Sequence, residues 1–318
     1  MKVRTWARSL LSPRGRLLPG IGARLHRFPR FVARVLAAAR RAPAGGARAA
    51  IYRSVSEPLI RRFERPLEVP VVAGSRMIVD PTDLVGRIIA LSGMWEPQVT
   101  GAFQAFLLPG DVCVDVGANI GYFTLLASKL VGPEGHVYAL EPSTRIHAAL
   151  RANLELNQVT NVTALRVAAG DVEGKAFLYE GPAGNRGATS LHQAKAVAGA
   201  EVASVGTQRL DSLVRDEHVG RLRLVKIDVE GYEFEVLRGL EGVYLRGAHP
   251  AVIVELSPGW SGGDALDHLL QFCDEHDLKP FQLAREQLLN GREGAPFQPL
   301  EIGTTNEEQR EWLLAPAS

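Results

Sequence analysis

Acidic, glycine and asparagine residues alternate in one stretch of the chain, at Asp115, Gly117, Asn119 and Gly121. Gly117 lets the backbone turn sharply, because glycine has no Cβ to clash. The helix predicted from about Ile120 directs free N–H groups and the positive end of its dipole at this turn, which suits a carboxylate or a phosphate. The stretch therefore predicts a cofactor site, and a glycine-rich turn in some other α/β protein is the alternative. A dinucleotide site would have the spacing GxGxxG, which these glycines do not have.

Two further carboxylates follow at positions that suit a nucleoside. Glu141 ends an apolar run and lies 26 residues after Asp115, which leaves room for one crossover helix. In nucleoside-binding α/β proteins, an acidic residue at this place accepts hydrogen bonds from ribose hydroxyls. Asp171 follows two alanines and a glycine, where its carboxylate could accept a hydrogen bond from an adenine amino group. An ordinary turn explains Asp171 equally well, and an exposed turn residue is the alternative for Glu141.

A third group of charged residues, Lys226, Asp228 and Glu230, lies at the predicted carboxyl end of another apolar strand. Charged groups in such a place are costly unless they are paired or functional. A carboxylate here could hold a substrate hydroxyl or remove its proton as a general base. The alternative is an internal ion pair of Lys226 that only shapes the site. Carboxylate oxygens could also bind a divalent cation, but we expect no metal site.

Buried parallel strands are predicted to position these residues. Their apolar runs have the length of strands that are covered on both faces, and amphipathic helices are predicted between them. Since the carboxyl ends of parallel strands meet at one edge of a sheet, we expect Asp115, Glu141 and Lys226 on the same rim. The runs occupy residues 112–114, 137–140, 162–167, 222–227 and 250–255.

The remaining segments predict shorter pieces. Residues 67–79 are typical of a hairpin, and residues 174–207 of a strand, a loop and a returning strand. The loop at residues 181–190 is rich in glycine and polar residues, and we expect it to line the acceptor pocket. Runs around Phe281 and Trp312 predict closing antiparallel strands.

The net charge of +1 conceals a strong asymmetry. Residues 1–53 contain 12 Arg and one Lys with no Asp or Glu, which leaves 23 basic against 35 acidic residues in the rest. This leader resembles a solvated tail, an organelle transit peptide or a basic helix that contacts an anionic membrane surface. Without a recognisable binding module, it does not predict nucleic-acid binding. Two cysteines and no apolar run near the roughly 20 residues of a membrane span lead us to expect a cytoplasmic protein.

Taken together, the motifs resemble the FkbM family of S-adenosylmethionine-dependent methyltransferases. The resemblance covers about residues 68–256 and rests on several motifs in the same order. They are Pro109-Gly-Asp111, Asp115-Val-Gly-Ala-Asn-Ile-Gly-Tyr-Phe123, Val137-Tyr-Ala-Leu-Glu-Pro142, Asn153 with Asn157, Lys226-Ile-Asp-Val-Glu-Gly-Tyr-Glu233, and the run from Pro250 to Glu255.

The resemblance implies a Rossmann-like α/β fold with a seven-stranded, mostly parallel sheet, the class I methyltransferase fold. It implies methyl transfer from S-adenosylmethionine to a hydroxyl of a sugar or polyketide-type molecule. The residues expected to hold the cofactor are Asp115, Gly117, Asn119, Gly121 and Glu141, with Asp171 near the adenine. Lys226, Asp228 and Glu230 would face the reacting end, and Asp228 or Glu230 could take the acceptor proton.

Three parts of the chain are expected: a basic leader at residues 1–54, an approach segment at residues 55–108 and a methyltransferase domain at residues 109–318. A nicotinamide-dependent oxidoreductase on a similar fold is one alternative function, since a fold does not decide a function. A non-catalytic cofactor-binding protein is another.

Overall fold

The computed structural model describes residues 60, 65–181, 184–185, 187–191, 202–256, 265–283, 300–301 and 311–316. The basic leader, with its predicted helix at residues 30–41, lies outside the described residues. The strands are β1 (Leu67–Pro70), β2 (Arg76–Val79), β3 (Val112–Val116), β4 (His136–Leu140), β5 (Val162–Leu165), β6 (Ala168–Ala169), β7 (Gly174–Tyr179), β8 (Val202–Gln208), β9 (Leu222–Ile227), β10 (Ala251–Glu255), β11 (Leu278–Gln282), β12 (Leu300–Glu301) and β13 (Glu311–Pro316). The helices are α1 (Leu84–Ser92), α2 (Pro97–Phe106), α3 (Tyr122–Val131), α4 (Thr144–Leu156), α5 (Leu210–Leu213), α6 (Asp216–Val219), α7 (Glu233–Arg238), α8 (Glu241–Leu245) and α9 (Ala265–Glu275), with a 3-10 turn at Val72–Gly74.

The large sheet has the strand order β12-β11-β13-β10-β9-β3-β4-β5. Its strands β5, β4, β3, β9 and β10 are parallel, and β13 lies antiparallel between β10 and β11. All five residues of β3 are buried, as expected for a central strand covered on both faces. The predicted Rossmann-like, seven-stranded, mostly parallel sheet is therefore confirmed, and the two-residue β12 adds an eighth strand at its edge.

The predicted strand at residues 162–167 ends early. β5 leaves the large sheet after Leu165, and Ala168–Ala169 pair instead with β8 in a second sheet of order β6-β8-β7. Val167 is buried where the chain passes between the sheets, so its apolar character reflects packing rather than strand pairing. The predicted strand, loop and returning strand form the antiparallel pair β7–β8.

Local capping sets where the helices begin. α4 begins as predicted after Ser143, whose hydroxyl accepts a hydrogen bond from the Ile146 N–H. α3 begins at Tyr122, two residues later than predicted, because Gly121 before it has a left-handed φ of 93° and cannot be part of the helix. In contrast to residues 162–167, residues 67–79 form the predicted hairpin, in which β1 pairs antiparallel with β2.

Buried apolar residues of the large sheet form a core with residues from the helices after β8, β9 and β10. Both cysteines are buried free thiols. Cys273 lies in this core, and Cys113 lies in β3. The chain separates into two compact units, one ending at Pro97 and the other beginning at Gln98, and the large sheet is in the second. Among the described helices, none has the length and apolar character needed to cross a bilayer.

Candidate cofactor and acceptor site

The turn after β3 is built so tightly that its first residue must be glycine. Gly117 has a left-handed φ of 74°, and an added Cβ would overlap the backbone carbonyl oxygen of Asp228. The N–H groups of Gly117 and Ala118 both donate to the carbonyl oxygen of Leu140, at 3.0 and 2.9 Å. The predicted glycine turn is therefore wedged between the ends of β4 and β9, and it brings the cofactor motif against Asp228.

Asn119 and Ser143 both direct backbone N–H groups at Glu141. The Asn119 N–H lies 3.0 Å from Oε2, and the Ser143 N–H lies 2.9 Å from Oε1. Asn119 adopts a left-handed φ of 49°, a conformation that asparagine tolerates, and its own side chain accepts a hydrogen bond from the Ile120 N–H. The asparagine of the motif thus serves to orient the carboxylate that sequence reasoning assigned to the ribose.

Glu141 is a buried carboxyl group with spare hydrogen-bonding capacity. Burial raises its pKa to about 7, although the two backbone N–H groups act in the opposite direction. A carboxylate accepts about four hydrogen bonds, and the backbone supplies two. Two hydroxyl groups of a ligand would complete the set.

Asp115 lies fully buried in β3. Its Oδ2 accepts a hydrogen bond of 2.6 Å from the Thr124 hydroxyl, whereas Oδ1 has no hydrogen-bond partner among the described residues. Burial raises the pKa of this carboxyl, and the nearby Lys226 ammonium opposes that shift. A buried acceptor left without a donor costs about 1–3 kcal/mol, so the site favours a ligand that brings a donor.

These two carboxyl groups fit S-adenosylmethionine. Its ribose offers two vicinal hydroxyl donors for the free acceptor sites of Glu141, and its amino-acid end offers N–H donors for Oδ1 of Asp115. Gly117 and Gly121 bear no side chain, so the backbone at both ends of the turn is open to a ligand. The residues present at this turn therefore suit the cofactor that the sequence predicts.

Two of the three rim residues, Lys226 and Asp228, lie beside this turn. Lys226 is almost fully buried, and its Nζ lies 2.9 Å from Oδ2 of Asp228. Asp115 and Lys226 are direct neighbours across the β3–β9 pairing, so the predicted clustering of charge is real. The ion pair between Lys226 and Asp228 is present, and Asp228 keeps about a quarter of its side chain exposed, so its carboxylate is also open to a substrate.

Two contacts at the rim carried no signal in the local sequence. The Lys226 ammonium lies 5.1 Å from the centre of the Phe123 ring, a cation–π contact that places an aromatic face beside the charge cluster. The Ser190 hydroxyl donates to the carbonyl oxygen of Glu230 at 2.8 Å. These partners are far apart in sequence, and only the folded topology brings them together.

Asp171 lies in an ion pair. Its Oδ2 is 3.1 Å from Nε of Arg238, and its backbone oxygen accepts a hydrogen bond from Arg209. The carboxylate thus has a structural partner that sequence reasoning did not identify. A contact of Asp171 with an adenine amino group stays a prediction.

A family model for the methyltransferase FkbM domain matches residues 115–279. The hexuronic acid methyltransferase AglP of Haloferax volcanii is 30% identical over 185 residues, which cover 58% of this chain and 71% of AglP. Methyltransferase 1 of Beauveria bassiana is 32% identical over 145 residues, 40% of this chain and 57% of that protein. The 31-O-demethyl-FK506 methyltransferase FkbM of Streptomyces tacrolimicus is 32% identical over 160 residues, 42% of this chain and 61% of that protein.

The chain therefore spans less than two thirds of the fungal and the Streptomyces relatives but more than two thirds of AglP. The family match begins at Asp115 and includes the glycine turn, Glu141 and the rim residues. The family match and the buried acceptors Glu141 and Asp115 both indicate S-adenosylmethionine as the cofactor. On the strength of this match and of the sheet order, the chain belongs to the FkbM methyltransferase family.

Proposed function

We propose that this protein is an S-adenosylmethionine-dependent O-methyltransferase that acts on a hydroxyl group of a sugar or polyketide-type small molecule. The observation that carries the proposal is the direct packing of the cofactor turn, at Gly117, against Asp228 of the acceptor rim. The names of two relatives support the substrate class, since one acts on a hexuronic acid and the other on an O-demethylated FK506. The carboxylates of the rim support a hydroxyl as the acceptor, because a carboxylate could take its proton.

The residues divide the work between holding the cofactor and handling the acceptor proton. Glu141 would bind the ribose hydroxyls, and Asp115 would accept from the ammonium through Oδ1. When bound, S-adenosylmethionine would supply an activated methyl group for transfer to the acceptor oxygen, with S-adenosylhomocysteine as the leaving group. Asp228 or Glu230 would take the hydroxyl proton onto a carboxylate oxygen as that oxygen attacks. Lys226, which lies against Phe123, would orient the Asp228 carboxylate. Correct positioning of the acceptor would supply much of the rate enhancement.

Calorimetric titration tests the cofactor assignment directly. The full chain is expected to bind S-adenosylhomocysteine in the micromolar range and to bind NADH undetectably. Glu141→Ala is expected to weaken binding of S-adenosylhomocysteine at least about 100-fold, because two hydrogen bonds to a charged group contribute about 1.5–3 kcal/mol each. Binding of NADH in place of S-adenosylhomocysteine would favour the oxidoreductase alternative. A folded protein that binds neither ligand would contradict the enzyme assignment.

The pH dependence of this binding reports on Glu141. S-adenosylhomocysteine is expected to bind about tenfold more tightly at pH 8 than at pH 6. With a pKa of about 7 in the free protein, the ionised fraction of Glu141 rises about tenfold over this range, and this sets the largest change in affinity that its titration can cause. The reason is that ribose hydroxyls form stronger hydrogen bonds to a carboxylate than to a neutral carboxyl group. At a pH below the pKa of Glu141, binding therefore releases the proton from its carboxyl group. Titrations in two buffers of different ionisation enthalpy measure the protons released.

The control for this pH dependence is Glu141→Gln, which keeps the shape and removes the titrating group. Its affinity is expected to be lower than that of the wild type but equal at the two pH values. A wild-type affinity that does not change between pH 6 and pH 8 would show that Glu141 does not bind the ribose as a carboxylate.

The rest of the proposal concerns the chain as a whole. We propose residues 109–318 as the methyltransferase domain, residues 55–108 as an approach segment and residues 1–54 as a basic leader. The charge of the leader suits contact with an anionic membrane surface.

A cytoplasmic location is supported by the two buried free thiols, which suit a reducing compartment. We propose no nucleic-acid partner and no metal.

A further inference from the structure

The segment of residues 187–191 touches both halves of the site. At its start, Gly187 lies so close to the Asn119 side chain that an added Cβ would overlap Nδ2 of the amide. Near its end, the Ser190 hydroxyl donates to the carbonyl oxygen of Glu230. Residues 187–190 of this segment are the last part of the glycine-rich loop at residues 181–190, which the sequence predicted to line the acceptor pocket.

Three hydrogen bonds fix the end of the segment. The N–H of Ser190 donates to the carbonyl oxygen of Tyr179 at 3.0 Å, and the Tyr179 N–H donates to the Ser190 carbonyl oxygen at 2.9 Å. With the bond to Glu230, they leave Ser190 only 2% exposed. Ser190 is therefore an anchor that ties the segment to the end of β7 and to the acceptor rim.

Anchoring at Ser190 imposes the close approach at Gly187. Only two residues separate the anchor from Gly187, so the chain cannot move far from Asn119 without breaking the bonds to Tyr179. Gly187 does not have a left-handed φ. The need for glycine here therefore comes from the close Asn119 side-chain amide and not from the backbone conformation. Asn119 in turn gives its N–H to Glu141.

We propose that residues 187–191 form one wall of the cofactor site and that Gly187 positions Glu141 through Asn119. This inference rests on the proposed S-adenosylmethionine site and names further residues that shape it. Gly187 is a positioning residue, because it acts through the Asn119 amide and need not touch the ligand. The same segment holds the backbone of Glu230, so the wall joins the ribose carboxylate to the acceptor rim.

Gly187→Ala tests the proposal with S-adenosylhomocysteine as the probe and the full chain as the protein. The new methyl group is expected to displace Asn119 and to weaken binding at least tenfold at pH 8. The matched control is Gly220→Ala, since an added Cβ at Gly220 meets no atom within 4 Å and its φ of −66° suits alanine. The control is expected to bind within twofold of the wild type.

A double-mutant cycle separates positioning from general damage. Asn119→Gly removes the amide that the methyl group would displace and keeps a residue that tolerates the left-handed φ. In this background Gly187→Ala is expected to change the affinity less than threefold, because the colliding atom is gone. A second signature is the pH profile: loss of the Asn119 N–H bond raises the pKa of Glu141, so the affinity of Gly187→Ala improves at a higher pH than that of the wild type.

Each outcome decides one question. If the wild type binds S-adenosylhomocysteine and Gly187→Ala binds equally well, residues 187–191 are not a wall of the cofactor site. If the losses of Gly187→Ala and Asn119→Gly simply add, Gly187 does not act through Asn119. If the wild type does not bind S-adenosylhomocysteine, the proposed function itself is wrong.

Discussion

Gly117→Ala is expected to lower the free energy of unfolding by about 2–5 kcal/mol and to abolish measurable binding of S-adenosylhomocysteine. The left-handed conformation of a residue with a Cβ costs about 1–2 kcal/mol. The overlap with the Asp228 carbonyl adds about 1–3 kcal/mol of overpacking, because backbone atoms cannot rotate away. Such a loss is a large share of the about 5–15 kcal/mol that stabilises a typical protein. Denaturant unfolding and calorimetry measure the two effects.

The matched control is Gly110→Ala. Gly110 has an even larger left-handed φ of 92°, but an added Cβ there meets no atom within 4 Å. We therefore expect Gly110→Ala to cost only the conformational part, about 1–2 kcal/mol, and to leave the affinity for S-adenosylhomocysteine unchanged. Equal effects of the two substitutions would contradict the close packing of Gly117 against Asp228.

Loss of the catalytic base is expected to reduce turnover about 10²–10⁴-fold while the affinity for S-adenosylhomocysteine stays within threefold. Asp228→Asn and Glu230→Gln, made singly, identify which carboxylate takes the acceptor proton, because only one of them should show the large loss. The acceptors to screen first are hexuronic acids and 31-O-demethyl-FK506, the compounds in the names of two relatives. Turnover is followed by S-adenosylhomocysteine release.

Asp228 also pairs with Lys226, so a loss of turnover needs a second criterion. If the carboxylate acts as a base, the remaining activity of Asp228→Asn should rise with pH as the acceptor ionises unaided. If it only anchors Lys226, Lys226→Met should cause the same loss as Asp228→Asn. A double variant that loses both carboxylates and keeps full turnover would rule out this role for the rim.

The sequence predicted the sheet because its signals are local. The buried run of β3, the glycines after it and the apolar run of β4 each lie within a few residues, and their order determines the parallel topology. The same holds for Glu141, whose place after β4 follows from the length of one crossover helix. These parts of the fold and of the site could be predicted without coordinates.

The contacts that complete the site are not local. Ser190 meets Glu230 across 40 residues, and Gly187 meets the Asn119 side chain through a loop whose path the sequence does not specify. The ion pair of Asp171 with Arg238 joins a turn to a helix 67 residues later. No periodicity or propensity encodes such pairs, since each depends on how two separately specified elements pack.

The place of β13 has a consequence for how the protein is synthesised. β13 is the last described strand along the chain, yet it pairs with β10 on one side and with β11 on the other. A nascent chain that has not yet emerged past residue 316 therefore exposes two open strand edges in the middle of its sheet, and open edges invite pairing with other chains. The ribosome must deliver the chain through residue 316 before the sheet can close, so a product that terminates before β13 is a substrate for chaperones and proteases.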